Sequence, residues 1–132
     1  MDLSKYRTSK ELTEEGVTID LGDGLKVRLA RIGNKKYNEA LRRLTKPYQN
    51  AIRNKTISDE VMERIVLEAF VGNVLISWSG LTLDGADVPY SREKAIEILS
   101  NPEYVDFRNN LEALASEMES FRAAEVAATV EK

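Results

Sequence analysis

The stretch TISDEVMERIVLEAFVGNVLISW, residues 56–78, is the most apolar part of the chain, and how it is read sets the architecture. Ser58 offers an N-cap, and Asp59 and Glu60 after it complement the positive end of a helix dipole. Val61, Ile65, Glu68/Ala69 and Gly72 open a stripe at helical spacing. From Ile65 onward only Glu68, Asn73 and Ser77 are clearly polar, so the expected helix is apolar round most of its girth. Such a helix is central and contacted from several sides. On this reading Gly72 permits a close helix crossing, Trp78 ends the helix, and Gly80 supplies its left-handed terminating residue.

Before this helix lies GVTIDLGDGLKVRLARIGN, residues 16–34, which alternates as a hairpin does. Val17, Ile19 and Leu21 share one side, Leu25, Val27 and Leu29 return along it, and Asp20, Lys26 and Arg28 face water. The central Gly-Asp-Gly provides the positive φ of a tight turn. A hairpin this short must lie on something apolar. Residues 1–15 mix charges and hydroxyls without a period and read as a mobile arm. Asn34 is placed to cap the next segment, residues 35–55, in which Tyr37, Leu41, Leu44, Tyr48 and Ala51/Ile52 form one amphipathic stripe. Pro47 either kinks that helix or ends it near Thr45 and sits in the first turn of a second, short one. Lys35, Lys36, Arg42, Arg43, Lys46 and Arg53 take the exposed side.

After residue 90, SREKAIEILSNP supplies Ser91 as a cap and Ala95, Ile96 and Leu99 as a buried face. Asn101-Pro102 ends that helix and starts the last one, where Tyr104, Phe107, Leu111, Leu114, Met118 and Phe121 recur at three- and four-residue spacing. Past Phe121 the chain is alanine-rich and weakly anchored. The expected fold is mainly α of the α+β kind: an N-terminal β-hairpin followed by four to five helices packed as a small orthogonal bundle. One domain is expected over residues 16–127, with the hairpin at 16–33 and the helical part at 34–127. The arm at 1–15 and a flexible end at 128–132 flank it.

Composition narrows the chemistry. With 132 residues, 42% hydrophobic and 31% charged, the chain has the balance of one soluble globular domain. No run approaches the roughly 18 to 20 apolar residues that span a bilayer, so no membrane partner is expected. The N-terminus lacks a basic-then-apolar export pattern, and the absence of cysteine fits a reducing cytoplasm. The absence of histidine matters more. Without His or Cys, the Ser-His-Asp, Cys-His and zinc chemistries have no residues to run on, so neither an enzyme nor a cofactor or metal site is expected. The net charge of −3 hides a polarity: residues 1–56 carry 13 Lys/Arg against 7 Asp/Glu, and residues 57–132 carry 6 against 15. Either the halves neutralise each other on folding, or a bipolar surface steers self-association or a partner.

WSGLTLDGADVPYS, residues 78–91, interrupts the helical pattern. Leu81, Leu83, Val88 and Tyr90 alternate around an Asp-Gly turn, and Val88 is held extended by Pro89. The insert is therefore a small, defined, partly apolar loop. Asp84 and Asp87 lack the register of a calcium loop. Trp78 and Tyr90 pin the loop to the core, a role compatible with partner contact, because an aromatic at the edge of a core is also a typical interface anchor.

The ordered set VLISWSGL (74–81), DGADVPYS (84–91) and EKAIEILSNPEYVDFRNNLEALASEMESFR (93–122), preceded by LKVRLARIGNKKYNEALRRLTKPY (25–48), resembles the tail assembly chaperones of long-tailed bacteriophages and prophages. The similarity spans roughly residues 16–122, and Trp-x-Gly, a Gly turn, Pro-Tyr-Ser and a short helix are its most specific part. The resemblance implies a protein that binds the tape-measure protein, keeps it soluble and promotes assembly of the tail tube around it. It implies action in the cytoplasm of the bacterial host and absence from the mature virion. A longer frameshifted form would contact the major tail (tube) protein, this chain being the short form. Candidate walls for a client are Tyr37, Leu41 and Leu44, then Trp78, Leu81, Leu83, Val88 and Tyr90, and finally Phe121 on the last helix. Several copies along one client would gain by multivalency, so a homo-oligomer is consistent. The competing readings are a nucleic-acid-binding accessory protein using the Lys35-to-Arg53 face, and a virion tail completion or connector subunit. An acidic chain with no aromatic stacking motif interleaved among its basic residues argues against nucleic acid.

Overall fold

Val17–Gly22 (β1) and Leu25–Leu29 (β2) form the expected hairpin in a computed structural model that describes residues 2–7 and 9–117. Asp23 and Gly24 carry φ of 54° and 83°, the doubly left-handed turn whose twist matches the flanking strands. Val17 pairs with Leu29 and Ile19 with Val27, so the apolar positions share a face, while Thr18, Asp20, Lys26 and Arg28 are exposed on the other. A bulge at Leu21 ends the ladder before the turn. Residues 10–15, placed by the sequence in a mobile arm, form the helix Lys10–Glu15 (α1). Leu12 packs against Val17, and the Arg28 Nε–H donates to the Glu15 carbonyl at 2.8 Å.

The central apolar segment departs from expectation. It is not one helix: Asp59–Phe70 (α4) stops at Phe70, residues 71–74 turn, and Leu75–Ser79 (β3) is a strand that pairs with β2. The sheet order is β1-β2-β3, all antiparallel. Trp78 therefore lies on a strand opposite Val27 and does not end a helix. Val71, Val74, Leu75 and Trp78 are all buried, and their spacing is that of a helical stripe. The chain meets it without a helix: the turn buries Val71 and Val74, and a bulge at Ile76 brings Leu75 and Trp78, three apart, onto one side of β3. Gly72 carries φ of 92°, so it makes this turn and not a helix crossing. Gly80 has the expected positive φ, 78°, but it closes a strand, and a Cβ there would run into the Gly24 carbonyl oxygen.

The helices otherwise follow their sequence signals. Lys35–Thr45 (α2) ends before a single 3₁₀ turn at Lys46–Tyr48 with Pro47 in it, and Gln49–Arg53 (α3) follows, so the chain takes the stop and not the kink. Ser58 and Ser91 cap α4 and Arg92–Ser100 (α5) through the amides of Val61 and Lys94. Asn101 caps a 3₁₀ turn at Pro102–Tyr104 that leads into Val105–Ser116 (α6). Asn34 does more than cap α2. It is buried, its Oδ1 accepts from the Tyr37 amide at 2.9 Å, and its Nδ2 donates to the carbonyls of Arg31 (2.7 Å) and Asn73 (2.9 Å). One side chain with both donors satisfied ties the hairpin exit, α2 and the α4–β3 turn together.

The fold is thus mixed α+β: an N-terminal hairpin, extended by β3 into a three-stranded sheet, with five helices, α2 to α6, following the hairpin among the described residues. The core joins Val27 and Leu29 of β2, Leu67 and Phe70 of α4, Leu75 and Trp78 of β3, Ala95 and Leu99 of α5, and Leu111 and Ala115 of α6. No helix among the described residues is long and apolar enough to cross a membrane. Met118, Phe121 and the residues 128–132 lie outside the described residues.

Candidate partner-binding groove

Residues 80–90 form a flap whose shape is set by two aromatic side chains. Thr82–Leu83 (β4) and Ala86–Asp87 (β5) make a two-residue-per-strand hairpin around Asp84 and Gly85, with φ of 51° and 81°. The Val88 amide extends the ladder by donating to the Leu81 carbonyl at 2.8 Å. So short a hairpin does not hold by itself. The Trp78 Nε1–H, buried, donates to the Val88 carbonyl at 2.7 Å, and the Tyr90 hydroxyl donates to the Leu75 carbonyl at 2.9 Å. The two rings meet edge to face with centroids 4.9 Å apart at 89°, a favoured aromatic geometry. Burial pushes the Tyr90 phenol above its ordinary pKa, against the opposing pull of nearby Arg92, so it stays a donor at neutral pH.

Arg92, which stands out by nothing in the sequence, completes the clamp. Its Nη1 donates to the Val71 carbonyl at 2.6 Å and its Nη2 to the Glu68 carbonyl at 2.9 Å, satisfying carbonyls at the C-terminal end of α4. A Cβ on Gly72 would stand 2.9 Å from that Nη1, so the glycine also makes room for the guanidinium. Three consecutive side chains thus fasten three elements: Tyr90 pins the flap, Ser91 caps α5 and Arg92 caps α4.

The underside of the flap and the start of α6 leave an open apolar groove of about 390 Å³, counting the solvent in its mouth. Leu81, Thr82, Leu83 and Val88 make one wall, with Ile98 of α5 and Tyr104 and Phe107 opposite. Leu83 stands 43% exposed at the rim.

Of the residues singled out from sequence, Leu81, Leu83 and Val88 come together in the groove wall, and Trp78 and Tyr90 support it from beneath. Tyr37, Leu41 and Leu44 are half-buried on α2, which packs against α4, and none of them lines the groove. Tyr37 itself packs against the core; burial, then the charge of Glu112, raises its phenol pKa. Phe121 lies outside the described residues. Ile98, Tyr104 and Phe107 were missed as groove residues. Ile98 falls off the Ala95/Leu99 stripe of α5, the one sequence signal that could have marked a second apolar face.

The family model of the YdaY prophage protein matches residues 32–132. The match takes in every groove residue, Arg92 and the alanine-rich C-terminal stretch, and leaves out α1 and the β1–β2 hairpin. No curated protein and no solved structure matches the chain. With more than half of its length matched, the chain belongs to the YdaY prophage protein family.

Proposed function

We propose that this chain is a phage tail assembly chaperone that holds apolar helical faces of a tape-measure protein in the flap groove until tail-tube subunits enclose them. The open apolar groove carries the reading. Its walls are apolar, Leu83 is offered at the rim, and the aromatic clamp holds the flap up, so the surface is formed before a client arrives. Such a groove suits the apolar face of an amphipathic helix, read through anchors three and four residues apart. A tape measure awaiting its tube exposes long apolar surface, which aggregates when left uncovered.

A groove this small makes a contact below about 1,200 Å², the range of weak and transient complexes. Many copies along one fibre compensate by multivalency, and weak single contacts let tube subunits displace them. The order of motifs from β3 through α6 and membership in a prophage protein family support a phage role. With neither histidine nor cysteine the chain is suited to binding, not to catalysis. The reading places it in the host cytoplasm and outside the finished particle, with a longer frameshifted product as the contact to the tube protein.

Co-expression with the tape-measure protein of the same prophage tests this. The wild-type chain is expected to keep that protein in the soluble fraction, and Leu83→Asp to leave it in the pellet. A client equally insoluble with and without the wild-type chain would refute the proposal, and recovery of the chain in purified complete particles would point to a connector subunit instead.

One observation favours a second reading. Lys35, Lys36, Arg42, Arg43, Lys46 and Arg53 are all exposed, and none is in an ion pair among the described residues. A nucleic-acid accessory protein would use them through phosphate contacts, with affinity falling steeply as salt rises. No retention on a nucleic-acid column at low salt ends that reading.

A further inference from the structure

We infer that two copies of this chain pair through the helical hairpin of α2, α3 and the start of α4, basic flank against acidic flank. From Leu41 to Arg64 no residue is buried. Leu41, Leu44, Tyr48, Val61 and Met62 are half-buried and Ile52 stands 38% exposed, and none of them joins the hydrophobic core. α2 packs chiefly against α4, so beyond Ala40 the helices cover one another's apolar side chains only in part. An apolar strip of this kind, rimmed by charge, marks an interaction surface.

Charge identifies the occupant. Residues 35–55 carry seven Lys/Arg against Glu39, whereas α4 carries Asp59, Glu60, Glu63 and Glu68 against Arg64. All seven of those basic residues are exposed, and so are Asp59, Glu60 and Glu63. α2 and α4 lie side by side, yet no ion pair crosses between them. Among the described residues the ion pairs are Lys94 with Glu97 and Arg108 with Glu112, both inside the acidic half of the chain. Within those residues the two halves therefore stay unpaired on folding, and a bipolar surface remains. The hairpin thus offers an apolar strip with a positive side and a negative side. The surface that matches it is the same strip turned through a two-fold axis, which sets the basic α2–α3 of each copy on the acidic α4 of the other.

Both complementary flanks belong to one patch, so the contact is isologous and closes at the dimer. A phosphate backbone would satisfy the basic flank alone, leave the apolar strip uncovered and bring the α4 carboxylates against like charge, which favours a second copy over nucleic acid on this face. None of these residues lines the flap groove. The inference therefore does not rest on the client reading, and its failure would leave that reading where it was.

Sedimentation velocity on the full chain, free of nucleic acid and with no client present, tests it. At low salt and up to about 0.5 mM, a range that detects weak contacts, the 14.9 kDa monomer is expected to pass into a dimer and nothing larger. Dimerisation should weaken several-fold in about 0.3 M salt as screening sets in. Ile52→Asp changes an exposed position and should fold as wild type by circular dichroism, yet weaken dimerisation about tenfold or more. Should it fail to fold, two charge variants take its place. Arg42→Glu with Arg43→Glu, and Glu60→Lys with Glu63→Lys, should each dimerise more weakly than wild type. Mixed in equal amounts they should form a heterodimer near wild-type strength, because one of its two contacts is unchanged and the other is charge-reversed on both sides. A wild-type chain that stays monomeric throughout would overturn the inference, and its retention on nucleic acid at low salt would hand the basic flank to phosphate. Dimers that survive Ile52→Asp, growth past the dimer, or charge variants that gain nothing from mixing would overturn it equally.

Discussion

The described residues contain two hairpins with the same turn chemistry and opposite fates. Asp23-Gly24 and Asp84-Gly85 adopt nearly the same left-handed pair, φ of 54° and 83° in the first and 51° and 81° in the second. In the first, strands of six and five residues alternate cleanly, and β3 extends them into a sheet whose inner face is core. In the second, each strand has two residues, all four exposed, and the apolar residues around them wall a groove open to solvent. The turn therefore sets only the reversal. Strand length and what covers the apolar side decide whether a hairpin becomes scaffold or binding surface.

Trp78 joins the two, since its backbone pairs with Val27 of the first hairpin while its indole holds Val88 of the second. Trp78→Ala should have the largest effect, about 3 to 5 kcal/mol, because it empties a buried site and releases the flap at once. Chemical denaturation measures it. A loss of less than about 1 kcal/mol, with client binding gone, would make Trp78 an interface residue and break the contrast between the hairpins. Gly80→Ala comes next. It forces a Cβ toward the Gly24 carbonyl at a positive φ and should cost about 2 to 3 kcal/mol. An unchanged melting temperature would mean that the two hairpins do not press together there.

Tyr90→Phe is smaller, about 1 kcal/mol for the lost hydrogen bond to the Leu75 carbonyl. It also carries a pH signature. The folded Tyr90 pKa lies above the unfolded value, so its contribution is fully present below the ordinary value of 10.0 and is lost as pH rises through the folded pKa. Tyr37 behaves in the same direction. Stability should therefore hold through neutral pH and fall in the alkaline range, and Tyr90→Phe should flatten part of that fall. A fall just as steep in the variant would place its origin elsewhere.

Much of this is legible in the chain itself. The Asp-Gly and Asn-Pro signals, the caps at Asn34, Ser58 and Ser91, and the stop at Pro47 act through local chemistry and fall where local chemistry places them. Residues 71–78 read as helix because they continue the stripe that Val61 to Gly72 opens, with only Asn73 and Ser77 polar, and Val71, Val74, Leu75 and Trp78 do have helical spacing. That spacing arises from a turn followed by a bulged strand, and the need of β2 for a partner, which is non-local, decides the outcome. The groove is half legible. Leu81, Leu83 and Val88 stand out in a loop, whereas Ile98, Tyr104 and Phe107 sit on helices where apolar residues read as core. Arg92 gives no signal, since an arginine after a serine cap reads as solvated until its carbonyl partners are seen.

Leu83 offers the smallest change in stability and the sharpest test of function. It is 43% exposed, so Leu83→Asp should shift folding by no more than about 0.5 kcal/mol. Calorimetric titration of a soluble helical fragment of the tape-measure protein into the wild-type and variant chains is the most direct measurement. The groove account predicts binding with a negative heat-capacity change for the wild type and none for the variant at an unchanged melting temperature. Equal binding by both chains would contradict it.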